Sequence, residues 1–369
     1  DSSTEAVRKG RGVLTHQMAA ATTQPPKTRH KTPTAAINRR NGLALHTRVK
    51  LEVMIIQPMT STLNGVIALP HLGVIRVQGP DARSFLQGQL TQDFALLAQD
   101  QARLAAFCSA KGRMQASFIG FADPAEGSES ILLVCSRDLL APTLKRISMF
   151  VMRAKAKLTD ASDGFAVWGV AGTGMSDMVD STGAALAPWA LQRCKGGSLV
   201  SLYPASGQAR GLWVGPAAAG LSGLPALDAD LWAWSEVRSG VATLSAPLVD
   251  AFVPQMLNYE SIGGVNFKKG CYPGQEVVAR SQFRGTLKRR TYGVHAQQML
   301  TVGQEVFHSS DADQPCGTVV QAAVAPEGGF DALVSMQVSA AADGALHAGG
   351  PQGPALEIWP LPYLLMADV

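Results

Sequence analysis

One cysteine of the sequence lies among residues that favour thiol chemistry. Cys271 is followed by the turn Tyr272-Pro-Gly274, and Gln275 to Ser281 has the composition of a short helix. The turn would place Cys271 just ahead of that helix, where the partial positive charge of the N-terminus and the neighbouring Lys268 and Lys269 favour the thiolate. A thiolate is a nucleophile or a soft metal ligand, whereas a buried neutral thiol is neither. Cys271 is therefore our candidate catalytic residue, although a lone cysteine between turns is also common in structural roles.

Basic residues are concentrated around this cysteine. Between residues 268 and 290 the only acid is Glu276, and the window holds the cations Lys268, Lys269, Arg280, Arg284, Lys288, Arg289 and Arg290. The chain has a net charge of +4, but residues 1–53 alone hold ten Lys/Arg and three Asp/Glu. The remainder has 22 Lys/Arg and 25 Asp/Glu, so its net charge is −3. Bulk charge thus gives no support for a dedicated nucleic-acid groove, and the window is predicted to be a local anion site.

Several classes of protein are disfavoured by composition. The five cysteines are an odd number and form no C-x-x-C pair, which argues against a disulfide framework or a closed zinc site and for reduced thiols in a cytosol-like compartment. No metal site is predicted. No apolar run approaches the roughly 20 residues that span a bilayer. Gly172 and Gly174 begin a dinucleotide-binding pattern, but Asp177 stands where its third glycine is needed.

The order of periodic segments predicts an α+β fold. Helices are predicted over residues 79–90, 137–150 and 231–239, and residues 171–183 and 203–228, rich in Gly, Pro and Ala, are predicted to be loops. Strands are predicted at residues 66–69, 74–77, 103–107, 113–121 and 131–135. After Arg290 short alternating strands with glycine breaks indicate a small C-terminal β-barrel.

Four sequence blocks resemble the YgfZ family, a folate-binding branch of the aminomethyltransferase (glycine-cleavage T-protein) superfamily. Lys269-Gly-Cys-Tyr-Pro-Gly-Gln-Glu276, closing on Arg280, is similar to the family signature K-G-C-[FY]-x-G-Q-E-x-x-x-R. The blocks Gly79-Pro-Asp-Ala82, Phe85 to Asp93 and Lys111-Gly-Arg-Met114 look like its N-terminal motifs. The similarity runs from about Leu63 to the C-terminus.

The resemblance implies a three-domain arrangement around a central hole that binds tetrahydrofolate. The bounds expected from it are a discontinuous folate-binding domain (residues 61–145 plus 229–288), a second α+β domain (146–228) and the C-terminal β-barrel (289–369). Residues 1–60 are expected to be a disordered or non-native leader. Cys271 inherits the role of the reactive residue, and the expected cofactor-binding residues that shape its turn are Lys269, Gln275, Glu276, Arg280 and Arg284.

The resemblance further implies an accessory protein for iron–sulfur cluster assembly or repair. Expected partners are folate, iron–sulfur enzymes or assembly proteins, and tRNA through an indirect link to its thiomethylation; neither membrane nor DNA is expected. The expected location is the cytoplasm, or the mitochondrial matrix if the basic leader is a transit peptide. One alternative is a folate-dependent aminomethyltransferase, but Ala116 and Ser117 stand where those enzymes carry an acidic pair. The other alternative is an RNA-binding module that uses residues 268–290.

Because residues 1–61 lack the apolar periodicity of a core segment, we predict that they can be deleted without loss of stability. The thermal midpoint of the truncated protein should match that of the full chain within about 2 °C, which corresponds to less than about 1 kcal/mol. A larger drop would show that the segment packs on the rest of the protein.

Overall fold

The computed structural model of the chain describes residues 62–123, 129–179, 186–221, 223–283 and 287–366. All of them belong to one compact unit, Ile55–Val369. The predicted leader and Arg284 lie outside the described residues.

The first sheet is antiparallel and carries two helices on one face. Its strand order is β3-β4-β5-β2-β6. The strands are β2 (Leu72–Gln78), β3 (Arg103–Cys108), β4 (Met114–Ala122), β5 (Ser130–Ser136) and β6 (Lys157–Asp160), and the helices are α1 (Ala82–Gln87) and α2 (Arg137–Ser148). Leu86 of α1 and Ile147 of α2 are fully buried against Phe118 and Leu133 of the sheet. The predicted β3–β4 pair is confirmed, with Ala105 opposite Phe118.

The second sheet contains a strand that sequence reasoning missed. Its order is β1-β7-β10-β9-β8. The strands are β1 (Gly65–Ala68), β7 (Phe165–Ala171), β8 (Leu191–Cys194), β9 (Gly197–Ser201) and β10 (Arg210–Pro216); the short helix α3 (Thr173–Ser176) follows β7. The prediction that residues 203–228 form only loops is wrong, because β10 pairs with strands on both sides and buries Leu212, Trp213 and Val214. Flanking Gly and Pro residues hid this short buried strand.

Helix α4 (Ala229–Arg238) lies between the sheets and the C-terminal part of the chain. It begins at Asp228, whose side chain accepts hydrogen bonds from the backbone N–H of Asp230 and Leu231, as an N-cap residue does. Trp232 is buried in a core shared by both sheets, and Val237 belongs to another core that reaches the barrel. Helix α4 therefore holds the parts of the unit together.

The C-terminal strands close into the predicted barrel, in the order β11-β14-β13-β12-β15-β16. Its elements are β11 (Arg289–Ala296), β12 (Glu305–His308), β13 (Asp311–Val324), β14 (Phe330–Gln337), β15 (Leu346–Ala348) and β16 (Ala355–Trp359), with helix α6 (Val338–Asp343) after β14. Pairing of β16 with β11 completes the closure. A further helix, α5 (Gln275–Phe283), precedes the barrel, as predicted.

The two sheets exchange one strand each across the predicted domain bounds. Strand β1, near the N-terminus, pairs with β7 of the second sheet, whereas β6, from the segment expected to form the second domain, pairs with β2 of the first sheet. The domain bounds themselves stay a prediction.

Gly169 of β7 leaves room for Trp232, so we predict that Gly169→Ala is destabilising. A Cβ at Gly169 would lie 2.7 Å from the indole ring, which is buried. Overpacking of this kind costs about 1–3 kcal/mol in the free energy of unfolding, measurable by urea denaturation. The control is Gly164→Ala, because a Cβ there has no neighbour within 4 Å. Equal stability of both variants would contradict the prediction.

Candidate functional site

The turn that carries Cys271 fits against the β3–β4 turn by direct backbone contact. A Cβ on Gly274 would lie 2.4 Å from the carbonyl oxygen of Ser109 and 2.6 Å from the Cα of Gly112. A Cβ on Gly112 would in turn lie 2.9 Å from the Cβ of Val277 in α5. Both glycines have positive φ, 80° and 70°, a conformation that glycine adopts at little cost. The block Lys111-Gly-Arg-Met114 and the block that begins at Lys269 are therefore in contact through Gly112 and Gly274.

Lys269 fixes the same turn from the other side. Its buried Nζ donates hydrogen bonds to the carbonyl oxygens of Gln87 and Leu90, at 2.5 and 2.8 Å, just beyond the last turn of α1. Burial lowers the pKa of Lys269 to about 8, while Asp93 and Cys271 act in the opposite direction. A cation near a helix C-terminus is favourable. The Lys269 side chain therefore points inward and holds the turn to the end of α1.

Cys271 is the only exposed cysteine of the five. Cys108, Cys135 and Cys316 are buried, and Cys194 is partly buried. Burial raises the pKa of Cys108 and of Cys135 to about 12, which keeps those thiols protonated at neutral pH. Only Cys271 combines full accessibility with the glycine turns, so the structure supports its selection as the candidate reactive residue.

The other motif residues lie on or beside α5. Glu276 and Arg280, one helical turn apart, form an ion pair of 2.5 Å on its exposed face. The Nε2 of Gln275 is 3.5 Å from the carbonyl oxygen of Lys269, too long for a strong hydrogen bond.

The six basic residues of the window that the structure describes do not form one anion-binding surface. Arg290 is buried, and it donates to Glu260 at 2.6 Å and to the carbonyl oxygen of Met366 at 2.7 Å. Arg289 donates to the carbonyl oxygen of Cys316. Lys269 also faces inward, so the expected single cluster is corrected to a few exposed cations and three with structural partners. Sequence could not show this, because the partner of Arg290 lies thirty residues earlier.

A partly open cavity lies between the two sheets and α4. The first sheet contributes Ser117 and Ile119, and β10 and α4 contribute charged residues, Arg210 and Glu236. The aromatic side chains in its wall are Phe118, Trp189, Tyr203, Trp232 and Tyr259. Its mostly apolar and aromatic lining, with few polar groups, is typical of a small-molecule site.

Arg210 is the most unusual group of this cavity. It is 3% exposed, its guanidinium stacks 4.5 Å from the ring centroid of Trp232, and no described residue accepts a hydrogen bond from it. Burial lowers its pKa to about 10, opposed by the charge of Glu236, which also lines the cavity. Burial raises the pKa of Glu236, and Arg210 and His71 act against that shift. A buried cation without an acceptor is costly, which points to an acceptor supplied by a ligand.

Other residues of the cavity wall bear on the aminomethyltransferase alternative. Ser117 faces the cavity at the position where the family resemblance places a carboxylate in aminomethyltransferases, and its Oγ accepts a hydrogen bond from the backbone N–H of Leu244. Trp232 lines the cavity and is also part of the buried core. The indole N–H of Trp234 donates a hydrogen bond to the carboxylate of Asp331 in the barrel. Trp189 lines the cavity with a φ of 70°, a rare conformation for a bulky residue.

Neither Arg210 nor Glu236 was identified from the sequence as a site residue. Arg210 falls in the segment taken for a loop, and Glu236 belongs to a helix that was predicted but given no function. A weak signal existed in the apolar run Leu212 to Val214, which is consistent with a short buried strand. Within the described ranges no three His, Cys, Asp or Glu side chains are grouped as a metal site, and no helix there has the length and apolarity to cross a membrane.

Comparison with known proteins identifies the fold first. The glycine cleavage system aminomethyltransferase T from Bartonella henselae superposes with a TM-score of 0.59 over 83% of this chain and 87% of that protein, at 15% identity. The chain thus has the aminomethyltransferase fold. It is 31% identical over 300 residues to the tRNA-modifying protein YgfZ of Edwardsiella ictaluri, covering 78% of this chain and 89% of that protein. The relative of that name in Cronobacter sakazakii is 29% identical over 312 residues, covering 81% and 93%.

The chain therefore belongs to the YgfZ family, which confirms the resemblance seen in its motifs. No protein-family model matches the sequence.

We predict that a thiol reagent such as a chromogenic disulfide modifies Cys271 first in the native protein. One equivalent should react rapidly, and Cys271→Ser should abolish that phase, because the thiols of Cys108 and Cys135 are buried and protonated. Denaturation should then release the remaining thiols. A rapid phase that survives in Cys271→Ser would contradict the assignment.

Proposed function

We propose that this protein binds a reduced folate in the cavity between its sheets and supports tRNA modification through the thiol of Cys271. The observation that carries the proposal is the buried guanidinium of Arg210, which lacks an acceptor among the described residues and lines a cavity together with Glu236.

The chemistry of the cavity suits the pteridine ring of tetrahydrofolate. A pteridine is flat and presents adjacent N–H donors beside a carbonyl acceptor; Glu236 would accept from the donors, and Arg210 would donate to the carbonyl. Trp232 and Tyr203 provide apolar and aromatic wall area for the ring. When bound, tetrahydrofolate supplies one-carbon chemistry, but the residues of this chain account only for binding and orientation.

The thiol and the cavity are separate sites, which favours an accessory role. Cys271 is exposed and is not among the residues that line the cavity, so the thiol faces solvent and any macromolecular partner. Relatives at about 30% identity carry the name tRNA-modifying protein YgfZ. We infer that the partner is an iron–sulfur enzyme or assembly protein linked to tRNA thiomethylation, in the cytoplasm. Ser117 in the cavity disfavours the aminomethyltransferase alternative, since no carboxylate occupies its position.

The motif residues would shape the turn of Cys271 and would not contact folate. Lys269 holds the turn, Gln275 lies beside it, and the Glu276–Arg280 pair lies on the outer face of the helix that follows it. Arg284 stays a prediction. The folate contacts are assigned instead to Arg210 and Glu236.

We predict that Arg210→Met weakens binding of tetrahydrofolate about 10- to 100-fold. The loss follows from one or two charge-assisted hydrogen bonds, which contribute about 1.5–3 kcal/mol. Isothermal titration measures the affinity, and quenching of tryptophan fluorescence provides a second readout, since Trp189 and Trp232 line the cavity. The matched control is Lys195→Met, an exposed cation in the β8–β9 turn of the same sheet. Unchanged affinity in Arg210→Met would exclude this cavity as the folate site.

Cys271→Ser should separate the two sites. Its affinity for tetrahydrofolate should remain within about two-fold of the original, because the thiol lies outside the cavity. The same variant should fail to restore tRNA thiomethylation in cells that lack the protein, with Cys194→Ser as the control. Full restoration by Cys271→Ser would remove the thiol from the mechanism.

A further inference from the structure

A second cationic surface, unrelated to the 268–290 window, lies after helix α2. We call it the α2–β6 surface: the last turn of α2, the connecting residues 149–156 and the first residue of β6. No Asp or Glu occurs between Asp138 and Asp160. The exposed cations of the surface are Lys145, Arg146, Arg153, Lys155 and Lys157. In a body with a charge of −3, this is a strong local excess of positive charge.

Four of these cations have no internal partner. Arg146 donates to the side chain of Gln115 at 2.6 Å, whereas the side chains of Lys145, Arg153, Lys155 and Lys157 make no hydrogen bond or ion pair with any described residue. Cations that stabilise a fold have partners inside it. Exposed cations without an internal partner are instead available to an external anion.

Large apolar side chains are exposed among the cations. Met149, Phe150 and Met152 are 65%, 44% and 88% exposed. Phe150 is anchored on one side by an edge contact with Phe107, with ring centroids 6.4 Å apart, so part of its ring faces solvent in a fixed orientation. Met152 has a φ of 39°, a left-handed conformation unfavourable for its side chain. Strain of this kind is concentrated where a segment presents side chains to a ligand.

The surface is held in place rather than loosely attached. The backbone N–H of Lys155 donates to the carboxylate of Asp81 at 2.7 Å, and the carbonyl of Lys155 accepts from the backbone N–H of Asp81. Ala154 closes a turn onto Val151. A surface that is ordered before binding loses less conformational entropy when its ligand arrives.

The part of the surface around Phe150 lies toward the end of the first sheet that carries the thiol, whereas Lys157, which pairs with Gln78, lies at the opposite end. Phe150 contacts Phe107 near the end of β3, and two residues later Ser109 meets Gly274 in the turn of Cys271. A polymer bound along the α2–β6 surface could therefore continue toward the exposed thiol.

We propose that the α2–β6 surface binds an unpaired segment of RNA, and specifically a tRNA that serves the tRNA-related role proposed above, on which this inference rests. Lys145, Arg153, Lys155 and Lys157 would contact phosphates, and Phe150 would stack on an exposed base. An aromatic ring among unpaired Lys and Arg is the combination that single-stranded RNA requires. An acidic protein would need no stacking ring, and the apolar side chains are too few for a membrane-binding amphipathic helix.

The test measures binding of a fluorescently labelled tRNA transcript to the full-length protein by anisotropy over a salt series. Arg153→Glu with Lys155→Glu should weaken binding at least ten-fold at 100 mM salt. If two single-strand phosphate contacts are lost, the slope of log K against log salt should become shallower by about 1.4. Phe150→Leu keeps the contact with Phe107 but removes the stacking face, so affinity should fall at least five-fold with the slope unchanged.

The matched control exchanges two other exposed cations, Arg137→Glu with Lys195→Glu, at the far end of α2 and in the β8–β9 turn. Equal losses in both double variants, or no loss in either, would overturn the proposal. It is also overturned if the protein binds vesicles of phosphatidylglycerol through these residues and does not bind tRNA.

Folate titration of the Arg153/Lys155 variant separates this inference from the proposed function. Normal folate affinity together with lost tRNA binding supports both. Normal folate affinity with unchanged tRNA binding refutes the α2–β6 surface alone. Lost folate affinity in Arg210→Met with tRNA binding intact shows that the two sites are independent, as the separation of cavity and surface requires.

Discussion

The candidate thiol site depends on one backbone contact, that of Gly274 with the β3–β4 turn. No side chain fits at Gly274, because a Cβ would overlap the carbonyl of Ser109 and the Cα of Gly112. This contact sets the position where α5 begins and leaves Cys271 in solvent while Tyr272 is buried beside it. Lys269 adds two hydrogen bonds to the end of α1. The turn is therefore bound to the first sheet and to its helix, and the thiol sits on a rigid support.

One hydrophobic core connects the thiol to the cavity without merging them. Val278 of α5 belongs to the same buried cluster as Leu104, Ala242 and Tyr259, which line the cavity. The cavity thus lies on one side of this core and the turn of Cys271 on another.

Sequence patterns predicted many of the local elements and selected Cys271 as a candidate reactive residue, which stays a prediction, but they gave no sign of the cavity. Alternation and turn residues were sufficient for the β3–β4 pair, α2, α5 and the barrel, because each forms between neighbours in the chain. Strand β10 was missed because Gly and Pro surround it and only its pairing with β7 and β9 makes it a strand. The cavity brings together β4, β10 and α4, so no spacing in the sequence marks Arg210 and Glu236 as neighbours.

The charge pattern of the sequence was misleading for a related reason. Residues 268–290 look like one basic cluster, but whether a cation faces solvent depends on partners distant in sequence, as Glu260 is for Arg290. The α2–β6 surface has fewer cations, but all five of them are exposed. Exposure and pairing, which only the fold determines, decide where an anion can bind.

The central claim is that folate binds between the sheets and away from Cys271. Hydrogen–deuterium exchange with and without tetrahydrofolate tests it directly, because protection is read segment by segment. The account predicts slower exchange in β10, α4 and residues 239–244, and no change in residues 268–283. Protection concentrated in residues 268–283, with β10 and α4 unaffected, would contradict it.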